Sequence, residues 1–426
     1  MGKFWGKLAV KLKRVQRKVE IPQLPNPFPQ VFHQLGKTIH GLGASFSTSS
    51  SETLLLLLLL LLFPANLAKH FVTSQSYVLG NLIDYLSPAI YLTEVLTFLL
   101  LVVNLSQSLR TFRIRPKLIF LLVGLFLLSL LPSVQQSSYK VIAFFRFGEL
   151  SLWLAFSLWV AYRLPWKSHP KLFQILGLGV AWVSLVALGQ FFLQHHLLGY
   201  WFLGEPTLTP SLGGVAKGSF LGREVVRAYG TFPHPNVLGG VLSVILGGLF
   251  TFRFWGPFVL GLGGILVSLS RAAWFSLIGG LLGLAFFGQK FGVIFLNDLS
   301  VSRRWELIQS AGEMIKSSPL TGVGLGQFVA QLPRFGIPSG LSLFLQPVHN
   351  IFALVAAESG LFSALLFGLI ILFAFREAVR KRRFLLAVLL LQLIFLGMID
   401  HYLYTLPQGL FLLSLIIGLS FSYSES

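Results

Sequence analysis

The sequence predicts an all-α, polytopic membrane protein, a bundle of about eleven to twelve transmembrane helices of roughly 20 residues each. Three observations predict it. Of its 426 residues, 54% are hydrophobic and only 11% charged, against about 25% charged in a soluble domain. The apolar residues gather in runs suited to helices rather than to the short alternating strands of a barrel. The formal net charge of +19 is concentrated in a few clusters between those runs. This composition excludes an ordinary soluble enzyme, a disordered chain and a collagen-like chain. The absence of cysteine excludes disulfide scaffolds, cysteine-bound zinc, iron–sulfur clusters and thiol catalysis.

Residues 1–51 read as a basic segment and linker. Lys3, Lys7, Lys11, Lys13, Arg14, Arg17 and Lys18 alternate with Phe4, Trp5, Leu8, Leu12, Val15 and Val19. That spacing predicts an amphipathic helix over 1–19 lying on anionic membrane lipid; an unstructured basic tail is the plainer alternative. No short apolar core and cleavage site follow it, so it is not a signal peptide. Pro22, Pro25, Pro27 and Pro29 stop any helix, and 41–51 reads as a flexible linker.

Apolar runs follow at 53–68, 88–106, 117–134, 141–163, 171–194, 237–252, 255–270, 271–289, 350–375, 384–400 and 404–422. Residues 52–289 thus carry transmembrane helices with an external loop at 195–236. Residues 290–349 form a long external loop, and 350–426 carry the C-terminal transmembrane helices. Bases cluster at Arg110, Arg113, Arg115 and Lys117, at Arg163, Lys167 and Lys171, and at Arg376, Arg380, Lys381, Arg382 and Arg383. The positive-inside rule places these clusters and both termini in the cytoplasm. An excess of this kind points to anionic headgroups before nucleic acid. Two cytoplasmic termini need an even number of crossings, and eleven runs are odd. A further short or re-entrant element is therefore expected around 271–296, where FGVIFL (291–296) is too short to span alone.

The fourteen carboxylates form no D-x-D, D-x-E or E-x-E triplet, so a metal–nucleotide-sugar site has no support. No Walker loop and no G-x-S-x-G elbow occurs. TGVGLGQ (321–327) lacks the dinucleotide order and reads as a turn. His195 and His196 diverge by about 100° on a helix and do not chelate together. Four stretches remain, all expected at the external boundary: 227–236 (RAYGTFPHPN), 269–272 (LSRA), 303–306 (RRWE) with 318–326 (SPLTGVGLG), and 348–351 (VHNI) followed by Glu358-Ser359-Gly360. An arginine inside or at the edge of a membrane is a functional candidate by default. Arg271, flanked by apolar sequence on both sides, is the sharpest case, with a snorkelling base as the alternative. The Arg227–Arg271 pair suits bidentate binding of a diphosphate. His349 offers a neutral imidazole able to accept a hydroxyl proton near pH 7; a helix N-terminal residue without chemistry is the alternative.

In this order the four stretches resemble the O-antigen ligase and O-antigen polymerase family over about 85–422. The carriers are an R-x-x-G-T-F-x-H-P-N segment at 227–236, the Ser270-Arg271 pair, P-L-x-G-x-G at 319–324, and His349-Asn350 with Glu358-Ser359-Gly360. Ser363 stands where the ligase signature has its last glycine, which weighs toward polymerase. The resemblance implies a membrane bundle similar to the polyprenyl-phosphate-sugar glycosyltransferases of the GT-C type. It implies an inverting, metal-independent transfer, with no cofactor, of a glycan from undecaprenyl diphosphate to an acceptor hydroxyl on lipid A core, growing polysaccharide or protein. The place implied is the outer, periplasmic face of a bacterial cytoplasmic membrane. In that reading His349 is the base, Arg227, Arg271 and Arg303 bind diphosphate, and His234, Asn236, Asn350 and Glu358 support the site. Two alternatives stand beside it. One is a flippase or transporter of lipid-linked oligosaccharide, for which discontinuous helices and acids such as Glu149, Glu358 and Asp400 would speak. The other is a polyprenyl-phosphate sugar transferase with Asp84 or Glu94 as base.

Overall fold

The computed structural model describes residues 43, 44, 46, 48–108, 118–285, 299–336 and 345–423. The helix expected over 1–19 and its lipid contact lie outside them. So does the 110–117 basic cluster.

The apolar runs become helices α1 (Ser50–Leu62), α2 (Leu92–Ser108), α3 (Leu118–Gln136), α4 (Lys140–Arg163), α5 (His169–Leu193), α6 (Pro235–Thr251), α7 (Trp255–Ser268) and α8 (Arg271–Ala285). A more polar pair, α9 (Leu299–Ser317) and α10 (Phe328–Phe335), precedes α11 (Ile351–Arg380), α12 (Phe384–Ile399), the single turn α13 (Tyr402–Thr405) and α14 (Pro407–Phe421). Among the described residues, α3, α4, α5 and α11 are long and apolar enough to cross a membrane, and seven shorter apolar helices accompany them. The protein is thus an all-α polytopic membrane protein.

The loops at one end carry three two-stranded antiparallel sheets. They are β1 (Ala68–His70) with β4 (Ala89–Tyr91), β2 (Tyr77–Val78) with β3 (Asn81–Leu82), and β5 (Lys217–Phe220) with β6 (Arg223–Val226). Pro64 at the close of α1 accepts a hydrogen bond from Thr231 just before α6 (2.6 Å), and Gln408 at the start of α14 donates to Ala65 (3.1 Å). The other end is tied by cations. Arg163 at the close of α4 pairs with the buried Glu52 of α1 at 2.8 Å. Lys381 and Arg383 donate to the last carbonyls of α14, where positive charge complements the helix dipole.

Helices in lipid associate through close packing rather than through exclusion of water. Nearly every residue of α6 is buried. A Cβ at Gly239 would meet Ala273 of α8 at 2.9 Å, and one at Gly264 of α7 would meet Leu242 of α6 at 2.7 Å. Gln392 of α12 adds a polar tie to the Ser276 carbonyl of α8 (2.8 Å).

The segment expected as one long loop at 290–349 carries two helices among its described residues. Leu307, Ala311 and Met314 bury one stripe of α9, spaced as an amphipathic helix requires, and α9 packs on α11. The extra crossing expected around 271–296 falls, past α8, in residues 286–298, outside the described residues.

α11 is discontinuous. Gly360 has φ 85° and ψ 166° inside it. Breaking a helix inside the bundle leaves backbone groups that water cannot reach. The 319–324 turn supplies the partners: Val323 N–H donates to the Ala357 carbonyl (2.8 Å), Gly324 N–H to Glu358 (3.1 Å), and Leu361 N–H to Pro319 (2.8 Å). Such bonds contribute roughly 1 kcal/mol each. Gly322 also sits at positive φ (69°). A Cβ there would strike the Glu358 backbone, and one at Gly360 would strike the Leu320 carbonyl. The P-L-x-G-x-G stretch is therefore a fastener. Gly322→Ala or Gly360→Ala is expected to cost about 2 kcal/mol or more, read as a lower unfolding temperature in detergent. The double variant should lose less than the sum, because both changes open one interface.

Candidate active site

The 227–236 stretch is built to hold Arg227. Gln190, near the end of α5, accepts the N–H groups of Tyr229 (3.0 Å) and Gly230 (2.8 Å) and donates to the Gly230 carbonyl (2.7 Å). Its amide also reaches buried Glu205 (2.9 Å), whose carboxylate collects the N–H groups of Leu197, Leu198 and Gly199, each at 2.7 Å. On this frame Arg227 donates to the Ser268 carbonyl (2.8 Å) and to Asn236 Oδ1 (2.7 Å). Burial, and to a lesser degree nearby Arg271, lower its pKa to about 10, so it stays cationic at neutral pH. His234 caps α6, its Nδ1 accepting the Asn236 N–H at 3.1 Å, and Pro235 fits the first helical position.

Ser270 plays the corresponding part at α8. Its hydroxyl accepts the Ala273 N–H (3.4 Å), which leaves Arg271 as the first helical residue. Asn350 caps α11 through the N–H groups of Phe352 (3.0 Å) and Ala353 (2.9 Å). Three helix N-termini thus point to one place.

That place is a cavity of about 600 Å³ lined by Arg227, His234, Asn236, Arg271, Arg303, Arg304, His349 and Asp400 among others. All three sequence-predicted arginines reach it, with His234, Asn236 and His349. Four guanidinium groups and three helix N-termini create a strong preference for an anion. Arg304, not singled out in the sequence, acts electrostatically on His349, Asp400 and His234.

His349 faces the corner between α12 and α14. Its ring lies 5.1 Å from that of His401, and the ligating atoms of His349, Asp400 and His401 lie within 4.8 Å of one another. Asp400 accepts the His401 N–H at 2.8 Å, and His401 Nδ1 meets Thr405 Oγ1 at 2.8 Å. Burial pushes His349 below the ordinary histidine range; Asp400 pulls it back up and Arg304 pushes it down. Burial acts to raise Asp400, but His349, His401, Arg304 and His234 together hold it below the usual carboxylate range. Burial takes His401 down to about 3. The result at neutral pH is a neutral imidazole beside a carboxylate. The three residues are also the described group best placed to hold a cation, but four arginines around them oppose one.

Other predicted residues lie elsewhere. Glu358 is not in the lining; its carboxylate accepts the Phe328 N–H (3.1 Å) at the start of α10. Glu94 accepts the Tyr91 N–H (3.0 Å) and is likewise outside the lining, whereas Asp84 is in it. Ser363, at the departure from the ligase signature, bonds Ser129 of α3 at 2.9 Å. Sequence reasoning missed the roles of Asp400 and His401. The available signal was their position at the end of an apolar run, one acid followed by one histidine.

Residues 237–368 match the family described as O-antigen ligase. The match takes in Arg271, Arg303, His349, Asn350 and Glu358; Arg227, His234 and Asn236 stand just before it and Asp400 after it. No curated protein matches the chain. This family carries glycosyltransferase-like activity in cell-envelope biosynthesis, with a lipid-linked glycan and an acceptor as its general partners. Over residues 237–368 the chain is thus similar to the O-antigen ligase family.

Proposed function

We propose that the protein transfers a glycan from undecaprenyl diphosphate to an acceptor hydroxyl at the outer face of a bacterial cytoplasmic membrane. Inversion at the anomeric carbon follows from a single displacement, and no metal is used. The acceptor is lipid A core, growing polysaccharide or protein. The observation that carries the reading is the meeting, in one cavity, of an arginine wall with an imidazole held neutral beside a carboxylate. Arg227, Arg271 and Arg303 take the diphosphate and stabilise the charge that grows on it as the glycosidic bond breaks. His349 accepts the acceptor proton as the oxygen attacks. Asp400 is a positioning residue that orients His349 and stabilises its protonated form. The donor is already activated, so no ATP motif is needed. The basic ends of α4 and α11 face the cytoplasm, which turns the cavity outward.

The transport reading draws on one observation, the break in α11. That break is filled by the 319–324 turn, however, and does not open on the cavity. A substrate path there would have to displace three backbone hydrogen bonds.

In membranes supplied with lipid-linked glycan, His349→Ala is expected to lower transfer by about 10²-fold or more; near-normal turnover would falsify the assignment of the base. Arg227→Lys and Arg271→Lys keep the charge but lose the planar fork. Each should weaken donor use by roughly tenfold, since a charged hydrogen bond contributes about 1.5–3 kcal/mol. Normal donor binding by either variant removes that residue from the diphosphate site. Transfer also requires neutral His349, so the rate should rise with pH through an acid limb lying below the ordinary histidine value of 6.5. Arg304→Gln removes a charge that lowers the His349 pKa and should move the limb up. Asp400→Asn removes one that raises it and should move the limb down. Shifts in the same direction, or none, would separate these residues from the base.

A further inference from the structure

We propose that the turn carrying Asp84 and Tyr85 is the acceptor subsite and that it takes a sugar ring with free neighbouring hydroxyls. This rests on the glycan-transfer reading above. The turn is a short 3₁₀ segment, Asp84–Leu86, set between β3 and β4. Its flanks are buried: Ile83 is 4% exposed and Leu86 is fully buried. Ile83 N–H donates to the Ser76 carbonyl (2.8 Å), Ser76 Oγ to the Leu86 carbonyl (3.1 Å) and Ser87 Oγ to the Ile83 carbonyl (3.1 Å). Between these fixed points Asp84 and Tyr85 stand exposed, and both line the cavity. A rigid turn that buries its flanks and presents a carboxylate and an aromatic ring is organised for a ligand rather than for the core.

Tyr85 is close to the chemistry. Its ring lies 5.3 Å from that of His401, nearly perpendicular to it, and His401 is 5.1 Å from His349. The cavity carries charge of both signs. Arginines on α8, α9 and the approach to α6 attract the diphosphate. Asp84 and Asp400 are the acids of the lining, and Tyr85 stands beside them with apolar neighbours such as Leu82 and Leu406. A carboxylate accepts several O–H groups at once, and an aromatic ring packs on the C–H face of a sugar. An acceptor bearing phosphate at this point would meet two carboxylates. A serine or threonine acceptor would bring one side-chain hydroxyl, consumed as the nucleophile, and leave Asp84 only backbone N–H groups to accept from. A sugar brings further hydroxyls beside the reacting one.

The test uses the full chain in lipid nanodiscs with an undecaprenyl-diphosphate-linked oligosaccharide. Alkyl glucosides, galactosides and mannosides are offered against a serine- and threonine-containing peptide, and products are read by mass spectrometry. Transfer to an alkyl hexoside is expected, with the acceptor KM raised about tenfold or more by Asp84→Asn and by Tyr85→Ala. Donor KM should stay unchanged, and Tyr85→Phe should restore near-normal acceptor use. Unchanged acceptor KM in both variants, or preference for the peptide, overturns the subsite while leaving the transfer reading standing. A raised donor KM assigns the turn to the donor and also overturns it. If the unaltered protein forms no new glycosidic bond with any acceptor, the transfer reading falls and the subsite falls with it.

Discussion

A helix broken inside a bundle must find new partners for the backbone groups it frees, because no water is there to take them. In this protein the break is at Gly360 of α11, and the partners come from the 319–324 turn. Much of the site depends on that exchange. The turn is the C-terminal anchor of α9, and α9 carries Arg303 and Arg304 to the cavity. Glu358, two residues before the break, holds the start of α10. The N-terminal part of α11, from the Asn350 cap to the break, presents His349. Two glycines at positive φ let the turn and the helix approach more closely than any side chain would permit.

The second constraint is electrostatic. Four arginines and three helix N-termini share one concave end, and nothing of opposite sign among the lining residues approaches that charge except Asp84 and Asp400. Such an arrangement is unfavourable when empty and favourable when an anion arrives, which suits a phosphate-bearing lipid headgroup better than a cation. Asp400 is placed to compensate locally, beside His349 and His401 and within the field of Arg304. The same carboxylate that tempers the field also raises the basicity of the imidazole next to it. Glu205 and Gln190 work at a distance, fixing the loop from which Arg227 extends.

Several elements of this protein are plain in the linear sequence. Leu54 to Leu62, or the glycine-rich apolar stretch of α6, can only be helix in lipid, since a helix satisfies its own backbone. The boundary positions of Arg227, Arg271 and His349 were equally legible, because polar residues at the edge of apolar runs stand out against them. The four stretches could be read as one set only through their order. The fastening role of Pro319 to Gly324 could not be read: its glycines resemble a loop or a nucleotide motif until their φ values and their partner on α11 are known.

Tertiary structure alone decided the rest. Asp400 and His401 are some fifty residues from His349, and Asp84 and Tyr85 are more than two hundred and fifty away. No local periodicity links them. They meet because α12 returns to the end of the bundle where α11 begins, and because the small sheets before α2 fold over the same end. Local propensity and hydropathy act over a helix length, so they determine spans and their edges. The environment of a titratable group is set by whichever charges the packing brings within a few ångströms, and that packing is long-range.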